Sequence, residues 1–232
     1  MEFSPANAPS LAAFAGILVA VLAAFLWAVR RAFGTAKATG VAAGVLGLWL
    51  GLLSLLVATG ALTRLPLRGL PQFFGSVLLM WTFAALSPLG RRLAATIPLT
   101  ALVAFQVFRL PLELVLHSWA AQGTIPDTMT WTGQNWDIVS GITALVCAPF
   151  AARHRIAARI ANIVGFAFLI NVMRVAVLSS PLPLGWGQQP PLLLAFHLPY
   201  ALIVPVCVGG ALFGHIVLTR ALWTNPSAQP SS

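Results

Sequence analysis

Residues 11–29 read LAAFAGILVAVLAAFLWAV, an apolar run without a charged side chain. An α-helix needs about 20 predominantly apolar residues to cross the hydrocarbon core of a bilayer. The run follows no basic segment and is longer than the apolar part of a cleavable signal peptide. It therefore predicts a membrane-spanning helix.

Six more apolar runs bring the number of predicted spans to about seven. The seven predicted spans are Leu11–Val29, Ala38–Leu62, Leu70–Leu89, Leu93–Leu116, Ile138–Ala152, Ile156–Leu178 and Leu192–Leu218. The fifth is short, and Pro71 and Gly75 interrupt the start of the third, so whether 70–89 spans fully stays open. We expect an all-α, multi-pass transmembrane helical bundle that forms a single integral membrane domain over 1–232.

The composition agrees with this fold class. Hydrophobic residues make up 59% of the chain and charged residues 7%, whereas a soluble domain carries about 25% charged residues. A soluble enzyme, a secreted disulfide scaffold and a disordered chain are therefore excluded. Cys147 and Cys207 lie in apolar runs, no ligand spacing indicates a metal site, and no glycine loop predicts a phosphate-bearing cofactor.

The distribution of cations predicts the orientation of the chain. Nine lie on one alternating side, which the positive-inside rule makes cytoplasmic: Arg30, Arg31, Lys37, Arg91, Arg92, Arg153, Arg155, Arg159 and Arg220. The other side carries Arg64 and Arg68 together with Glu2, Asp127 and Asp137. We expect the N-terminus outside and the C-terminus in the cytoplasm, in a bacterial inner membrane. Orientation explains the net charge of +9 without a nucleic-acid partner.

Small residues recur along the second span, where Gly40, Gly44, Gly47 and Gly51 are spaced by three or four positions. Such spacing lets neighbouring helices approach closely in a membrane. It predicts helix packing and not a functional site.

Ionisable side chains inside a span are the best functional candidates, because each costs about 2.5–3.5 kcal/mol or more to insert. Arg109, Glu113 and His117 recur every four residues and share one face of the fourth span. Pro111 lies among them and should kink the helix near Val107, whose carbonyl it cannot bond. A buried Arg109–Glu113 ion pair that only neutralises itself is the plain alternative.

Three predicted helices carry ionisable groups at a similar depth below the outer surface. At ~1.5 Å per residue, Arg109 lies ~10 Å, Arg174 ~6 Å and His197 ~8 Å below the outer helix ends. If these side chains face each other, they form a polar pocket that opens outward. His215, near Arg220, is expected at the inner interface. The tryptophans and prolines of the outer segments 117–137 and 179–191 fit either an aromatic belt or a lid over that pocket.

The second half of the chain carries an ordered set of short motifs. It contains Gly123-Thr124-Ile125-Pro126 and Gly133, then Asp137-Ile138-Val139-Ser140-Gly141-Ile142, then Asn171-Val172-Met173-Arg174-Val175, and finally His197. In order and in predicted side of the membrane, this set resembles the exosortase/archaeosortase family of membrane transpeptidases and proteases. The resemblance covers about 105–218.

The resemblance implies a site at the outer face that acts on C-terminal sorting signals. In that family an arginine, here Arg174, is thought to stabilise the developing oxyanion, and a histidine, here His197, handles protons. Val139 stands where the nucleophilic cysteine is expected, and valine cannot attack a carbonyl. Cys147 lies ~12 Å deeper. Ser140 is the remaining candidate nucleophile.

Four functions stay open. The first is non-catalytic binding of a membrane peptide, a C-terminal sorting signal or a lipid-linked anion. The second is a hydrolase or transpeptidase that uses Ser140 or a held water. The third is a small transporter and the fourth a structural subunit of a membrane complex, with the oligomeric state open. The candidate ligand-binding residues are Arg109, Glu113, His117, Asp137, Asn171, Arg174 and His197.

Overall fold

The computed structural model describes residues 3–64 and 66–224, and the side chains of 66–68 are outside that description. The predicted outer positions of Glu2 and of the Arg68 side chain therefore lie outside the described part. The helices, numbered in chain order, are α1 Ala8–Phe33, α2 Ala36–Ala58, α3 Ala61–Arg64, α4 Pro66–Leu86, α5 Pro88–Thr96, α6 Leu99–Phe105, α7 Arg109–Ala121, α8 Ile138–Cys147, α9 Arg155–Ser179 and α10 Gly209–Thr224.

The predicted all-α, multi-pass membrane architecture is confirmed. Within the described residues, six helical segments are long and apolar enough to cross a bilayer: Ala8–Phe33, Ala36–Ala58, Gly69–Leu86, Leu99–Ala121, Arg155–Ser179 and Tyr200–Thr224. The predicted fifth span is the shorter apolar helix Ile138–Phe150. At ~1.5 Å per residue it measures about 20 Å, against ~30 Å for a hydrocarbon core.

The fourth span begins later than the sequence predicts. The residues from Leu93 to Thr96 belong to α5, which begins at the cap Ser87 and contains Arg91 and Arg92. A new helix starts after Pro98, whose ring cannot continue the preceding helix. A 3₁₀ turn at Gln106–Phe108 then separates α6 from α7. The break falls beside Val107, where the missing amide of Pro111 predicts a kink.

The seventh span also differs at its start. Residues from Leu192 to Pro199 form irregular chain with one 3₁₀ turn at Leu194–Phe196, and the span continues through a π-helical turn at Ile203–Val208 into α10. Pro205 lies in that turn, and the indole N–H of Trp81 donates to its carbonyl at 2.7 Å. This last span is the most enclosed one, with 72% of its apolar window buried.

The glycines of α2 do not mediate helix packing within the chain, so that prediction is wrong here. A Cβ built at Gly40, Gly44, Gly47 or Gly51 meets no heavy atom within 4 Å. Only 11% of the apolar window of α2 is buried. The close helix contacts lie elsewhere, at glycines that the spacing rule does not single out.

Two such glycines position the polar residues of the bundle. A Cβ at Gly141 of α8 would lie 2.6 Å from the backbone nitrogen of Leu110 in α7. A Cβ at Gly165 of α9 would lie 2.3 Å from the ring of His215 in α10. The absence of side chains at these positions lets α7, α8, α9 and α10 meet around one buried point.

Candidate functional site

Arg109 lies at that point and is 1% exposed. Its Nε donates to Asp137 Oδ2 at 2.7 Å, and its Nη2 donates to Asp137 Oδ1. Its Nη1 donates to the carbonyl of Gly165 at 2.9 Å and lies 3.0 Å from His215 Nε2. A two-pronged pair with a carboxylate is the strongest arrangement available to a guanidinium.

His215 continues the hydrogen-bonded chain toward the other end of α10. Because a guanidinium can only donate, His215 Nε2 accepts, and the ring proton is on Nδ1. That nitrogen lies 2.9 Å from Asn162 Oδ1. The amide of Asn162 in turn donates to the hydroxyl of Thr219 at 2.7 Å, and this hydroxyl donates to the carbonyl of His215 at 2.8 Å. His215 is therefore neutral and fully buried, and its expected place at the inner interface is wrong.

On the other side, Asp137 and Asn135 connect Arg109 to Glu113. The hydroxyl of Ser140 donates to Asp137 Oδ1 at 3.0 Å, and the backbone N–H of Asp137 donates to Asn135 Oδ1 at 3.2 Å. The amide nitrogen of Asn135 donates to both carboxylate oxygens of Glu113 at 2.9 and 3.2 Å. We call Glu113, Asn135, Asp137, Arg109 and His215 the buried network.

The buried network replaces the alternative of an Arg109–Glu113 ion pair on one helix face. Among the described residues, the ion pair found is Arg109–Asp137. The contact of Gly141 with Leu110 brings the start of α8 against α7, so Asp137 reaches the guanidinium from a second helix. Glu113, one turn beyond Arg109, bonds Asn135 instead.

A narrow cavity of about 60 Å³ adjoins the buried network. Arg109, Glu113 and Asp137 line one part of it, and Ser180 is its other polar neighbour. The remaining wall is apolar and comes from α4, the 3₁₀ turn before α7, α7, α9, the π-helical turn, α10 and the segments that precede α8 and α10. The cavity is therefore an apolar space with one charged wall.

Asn171 and Arg174 form a second polar group, which is more exposed. Both Nε and Nη2 of Arg174 donate to Asn171 Oδ1, at 3.3 and 2.9 Å. The amide of Asn171 donates to the carbonyl of Gln134 at 2.8 Å, and the guanidinium carbon lies 5.7 Å from the ring centroid of Trp186. We call Asn171, Arg174, Gln134 and Trp186 the arginine cluster.

The remaining two candidate histidines stack on aromatic rings. The His117 ring lies 4.2 Å from that of Trp131 and nearly parallel to it. The His197 ring lies 4.0 Å from that of Phe3, and burial lowers the pKa of His197. Both contacts hold segments outside the spans against the bundle.

The predicted pocket of Arg109, Arg174 and His197 is thus not a single site. Within 3–64 and 66–224, no hydrogen bond or ion pair joins Arg174 or His197 to Arg109, and neither lines the cavity. These side chains have different partners, although the sequence predicts similar depths for them. The predicted candidates that do converge are Arg109, Glu113, Asp137 and Ser140.

Three polar residues that belong to the buried network or continue its hydrogen bonds were not singled out from the sequence. Asn162 lies inside the predicted sixth span, and Thr219 follows His215 by four positions in the seventh. Polar residues at helical spacing in these two spans were an available signal. Asn135 lies in a connecting segment whose conformation the sequence does not reveal. Its position follows from the turn at Asp127–Met129, where its amide also donates to the carbonyl of Met129 at 3.1 Å.

No protein-family model, curated protein or solved structure matches this chain.

Proposed function

We propose that this multi-pass integral membrane protein binds an anionic group of a membrane ligand, foremost the carboxylate of a membrane peptide or C-terminal sorting signal, at the arginine cluster. The observation that carries the proposal is the exposed guanidinium of Arg174, held by Asn171 and bonded by no acidic side chain of the described residues. The setting is a bacterial inner membrane, with the arginine cluster on the outer side.

The geometry of the arginine cluster suits a planar anion. Asn171 engages Nε and Nη2, which leaves N–H groups of the guanidinium available on its Nη1 side. A guanidinium donates two parallel hydrogen bonds to a carboxylate or phosphate, which a lysine cannot do. Trp186 lies beside the guanidinium and supports its orientation through a cation–π contact.

The position of Arg174 also suits a ligand that ends in the membrane. Arg174 precedes the end of α9 at Ser179 by five residues, or about 7 Å at 1.5 Å per residue. In the predicted topology α9 ends at the outer surface, and this distance then places Arg174 near the headgroup boundary, where the polar end of a membrane peptide lies. The resemblance of Asn171-x-x-Arg174 to the exosortase motif supports the same assignment.

Catalysis with Ser140 is a weaker proposal. Its hydroxyl is buried and donates to Asp137, a carboxylate already paired with Arg109. A serine nucleophile needs a free base that accepts its proton. Val139, at the position of the exosortase cysteine, is 40% exposed. A non-catalytic, exosortase-like binding protein therefore fits better.

The test is photo-crosslinking in nanodiscs with a single-span peptide that carries a photoreactive residue near its C-terminus. The free-acid peptide should crosslink to the wild type, and capture should fall about tenfold or more in Arg174→Ala, because charge-assisted hydrogen bonds contribute ~1.5–3 kcal/mol. Arg159→Ala is the matched control, since Arg159 is an exposed arginine near the other end of α9.

The C-terminally amidated peptide separates carboxylate recognition from apolar contact. The wild type should capture the amide about as weakly as Arg174→Ala captures the acid, and Arg174→Ala should reduce capture of the amide little further. Equal capture of the acid by the wild type and Arg174→Ala, or equal capture of acid and amide by the wild type, contradicts the proposal.

A small transporter is a second candidate, which one observation favours. The polar chain runs from Glu113 through Arg109 and His215 to Thr219, so it places polar groups at several depths. The candidate ranks second because the guanidinium of Arg109 only donates hydrogen bonds, so it interrupts a chain of groups that would have to accept and pass on a proton. Proton flux into liposomes that is lost in Glu113→Gln would support it, and the absence of flux would exclude proton conduction.

A further inference from the structure

Glu113 is a buried carboxyl group without a paired cation among the described residues. It is 1% exposed and accepts hydrogen bonds from the neutral amide of Asn135. Arg109, the cation one turn away, directs its guanidinium to Asp137, Gly165 and His215. A carboxylate in an apolar surrounding is costly unless a positive charge or a proton accompanies it. The carboxyl group of Glu113 therefore requires either a proton or a cation that the described residues do not supply.

The charges of the buried network also indicate that a positive charge is missing beside Glu113. Arg109 contributes one positive charge, while Asp137 and Glu113 are carboxyl groups. His215 adds no charge, because its Nε2 accepts from the Arg109 guanidinium. The ionised network would thus carry one excess negative charge, and an additional cation would neutralise it.

The cavity offers a place for that cation. Glu113 and Asp137 line it, and the aromatic rings of Phe74 and Phe108 form part of its wall. A carboxylate and aromatic faces together recognise ammonium groups, through charge and through cation–π attraction. The rest of the wall is aliphatic, including Leu112 and Val172, and therefore suits methyl groups better than hydration water.

The size of the cavity restricts the ligand. At about 10–15 Å³ for each water on this measure, its volume of about 60 Å³ holds only a few water molecules. This leaves room for a group of a few non-hydrogen atoms. A bare metal ion would need several oxygen ligands, but Arg109 and Ser140 already bond the oxygens of Asp137.

We infer that the cavity beside Glu113 binds a small alkylammonium ion, with its nitrogen at the Glu113 carboxylate and its methyl groups against the apolar wall. This site is independent of the arginine cluster: it has the opposite charge, and neither Asn171 nor Arg174 lines it.

The test is equilibrium dialysis, which measures binding of radiolabelled methylammonium and tetramethylammonium to the detergent-purified full chain. Sodium chloride holds the ionic strength constant. The wild type should bind one of the two probes saturably. Glu113→Gln should weaken that binding about tenfold or more, because the amide keeps an oxygen for Asn135 but loses the charge. Asp127→Asn, which alters an exposed carboxylate, should leave the affinity unchanged.

A second variant tests the cavity itself without altering a charge. Ala176→Leu adds bulk to the wall and should also abolish saturable binding, while circular dichroism and gel filtration show that each variant is folded and monodisperse. Binding of neither probe by the wild type overturns the inference, as does equal affinity in the wild type and Glu113→Gln. The peptide-capture experiment with Arg174→Ala tests a separate site, so its outcome does not change what these binding measurements mean.

Discussion

At the scale of single residues, the buried network depends on a position that has no side chain. The carbonyl of Gly165 accepts a hydrogen bond from the Arg109 guanidinium, and the ring of His215 occupies the space that a Cβ of residue 165 would need. One glycine therefore sets both the distance between α9 and α10 and the orientation of Arg109. Glycine is required here for its size, since its backbone is ordinary helix.

Gly165→Ala should destabilise the protein by about 1–3 kcal/mol, the usual cost of overpacking. The added Cβ would lie 2.3 Å from His215 Cε1 and 3.3 Å from Arg109 Nη1, so the ring must move. The midpoint of thermal unfolding in detergent measures the effect. Gly44→Ala on α2, where nothing lies within 4 Å, is the control and should be neutral or stabilising by up to ~1 kcal/mol. Equal midpoints for the two variants would contradict this account.

Removing one partner of the Arg109–Asp137 pair should cost more than removing both. Asp137→Asn leaves a buried guanidinium without its counter-charge, which costs about 3–5 kcal/mol. The double variant Arg109→Met/Asp137→Asn should recover part of that loss. A double-mutant cycle by denaturant titration gives the coupling energy, and strictly additive effects would show that the pair does not act as a unit.

His197 predicts a pH dependence of the fold. Burial lowers the pKa of His197 below its ordinary value of about 6.5, so the unfolded chain binds its proton more readily than the folded chain does. The contribution of His197 to the free energy of unfolding should be retained above pH 6.5 and should decrease as the pH falls below that value. Thermal midpoints at pH 7.5 and 5.5 should differ more in the wild type than in His197→Gln. An identical pH response in both would exclude His197 as the cause.

At the scale of helices, α8 is the element that completes the buried network. It is shorter than a full span, yet its first residues bring Asp137 to Arg109 and its Gly141 touches the backbone of α7. A helix of this length contributes by packing between its neighbours more than by crossing the bilayer. The position of α8 along α7 is therefore the feature of this helix on which the buried network depends most.

Gly141→Ala should shift that position and destabilise the protein by about 1–3 kcal/mol. The new Cβ would meet the backbone of Leu110 at 2.6 Å, and backbone cannot move aside as the end of a side chain does. Gly75→Ala in α4, where no atom lies within 4 Å, serves as the control. Denaturant midpoints measure the difference, and a Gly141→Ala midpoint equal to that of the control would refute the proposed contact.

The helices were largely predictable from the sequence, whereas their contacts were not. Long apolar runs locate the spans because a bilayer excludes other structures, and Pro111 locates the break near Val107. Pro98 could have corrected the start of the fourth span, since helices rarely continue through proline. The partner of Arg109 was not predictable. The depth of a residue along its helix does not show which neighbouring helix its side chain faces.

At the scale of the whole molecule, the orientation in the membrane remains a prediction from the cations. Single cysteines introduced into a background without Cys147 and Cys207 provide the measurement. An impermeant maleimide added to intact cells should label Thr132→Cys, in the predicted outer segment, and should leave Lys37→Cys unlabelled until the membrane is opened. The reverse pattern would invert the topology and place the arginine cluster on the cytoplasmic side.

The Arg109–Asp137 pair also has a consequence for how the chain is made. Its two members are 28 residues apart, and a ribosome adds about 5–20 residues per second. For a few seconds α7 carries a cation whose counter-charge has not yet been synthesised, and a lone arginine resists transfer into lipid. The nascent α7 should therefore wait beside the insertion machinery until α8 emerges, so that the two helices leave it together.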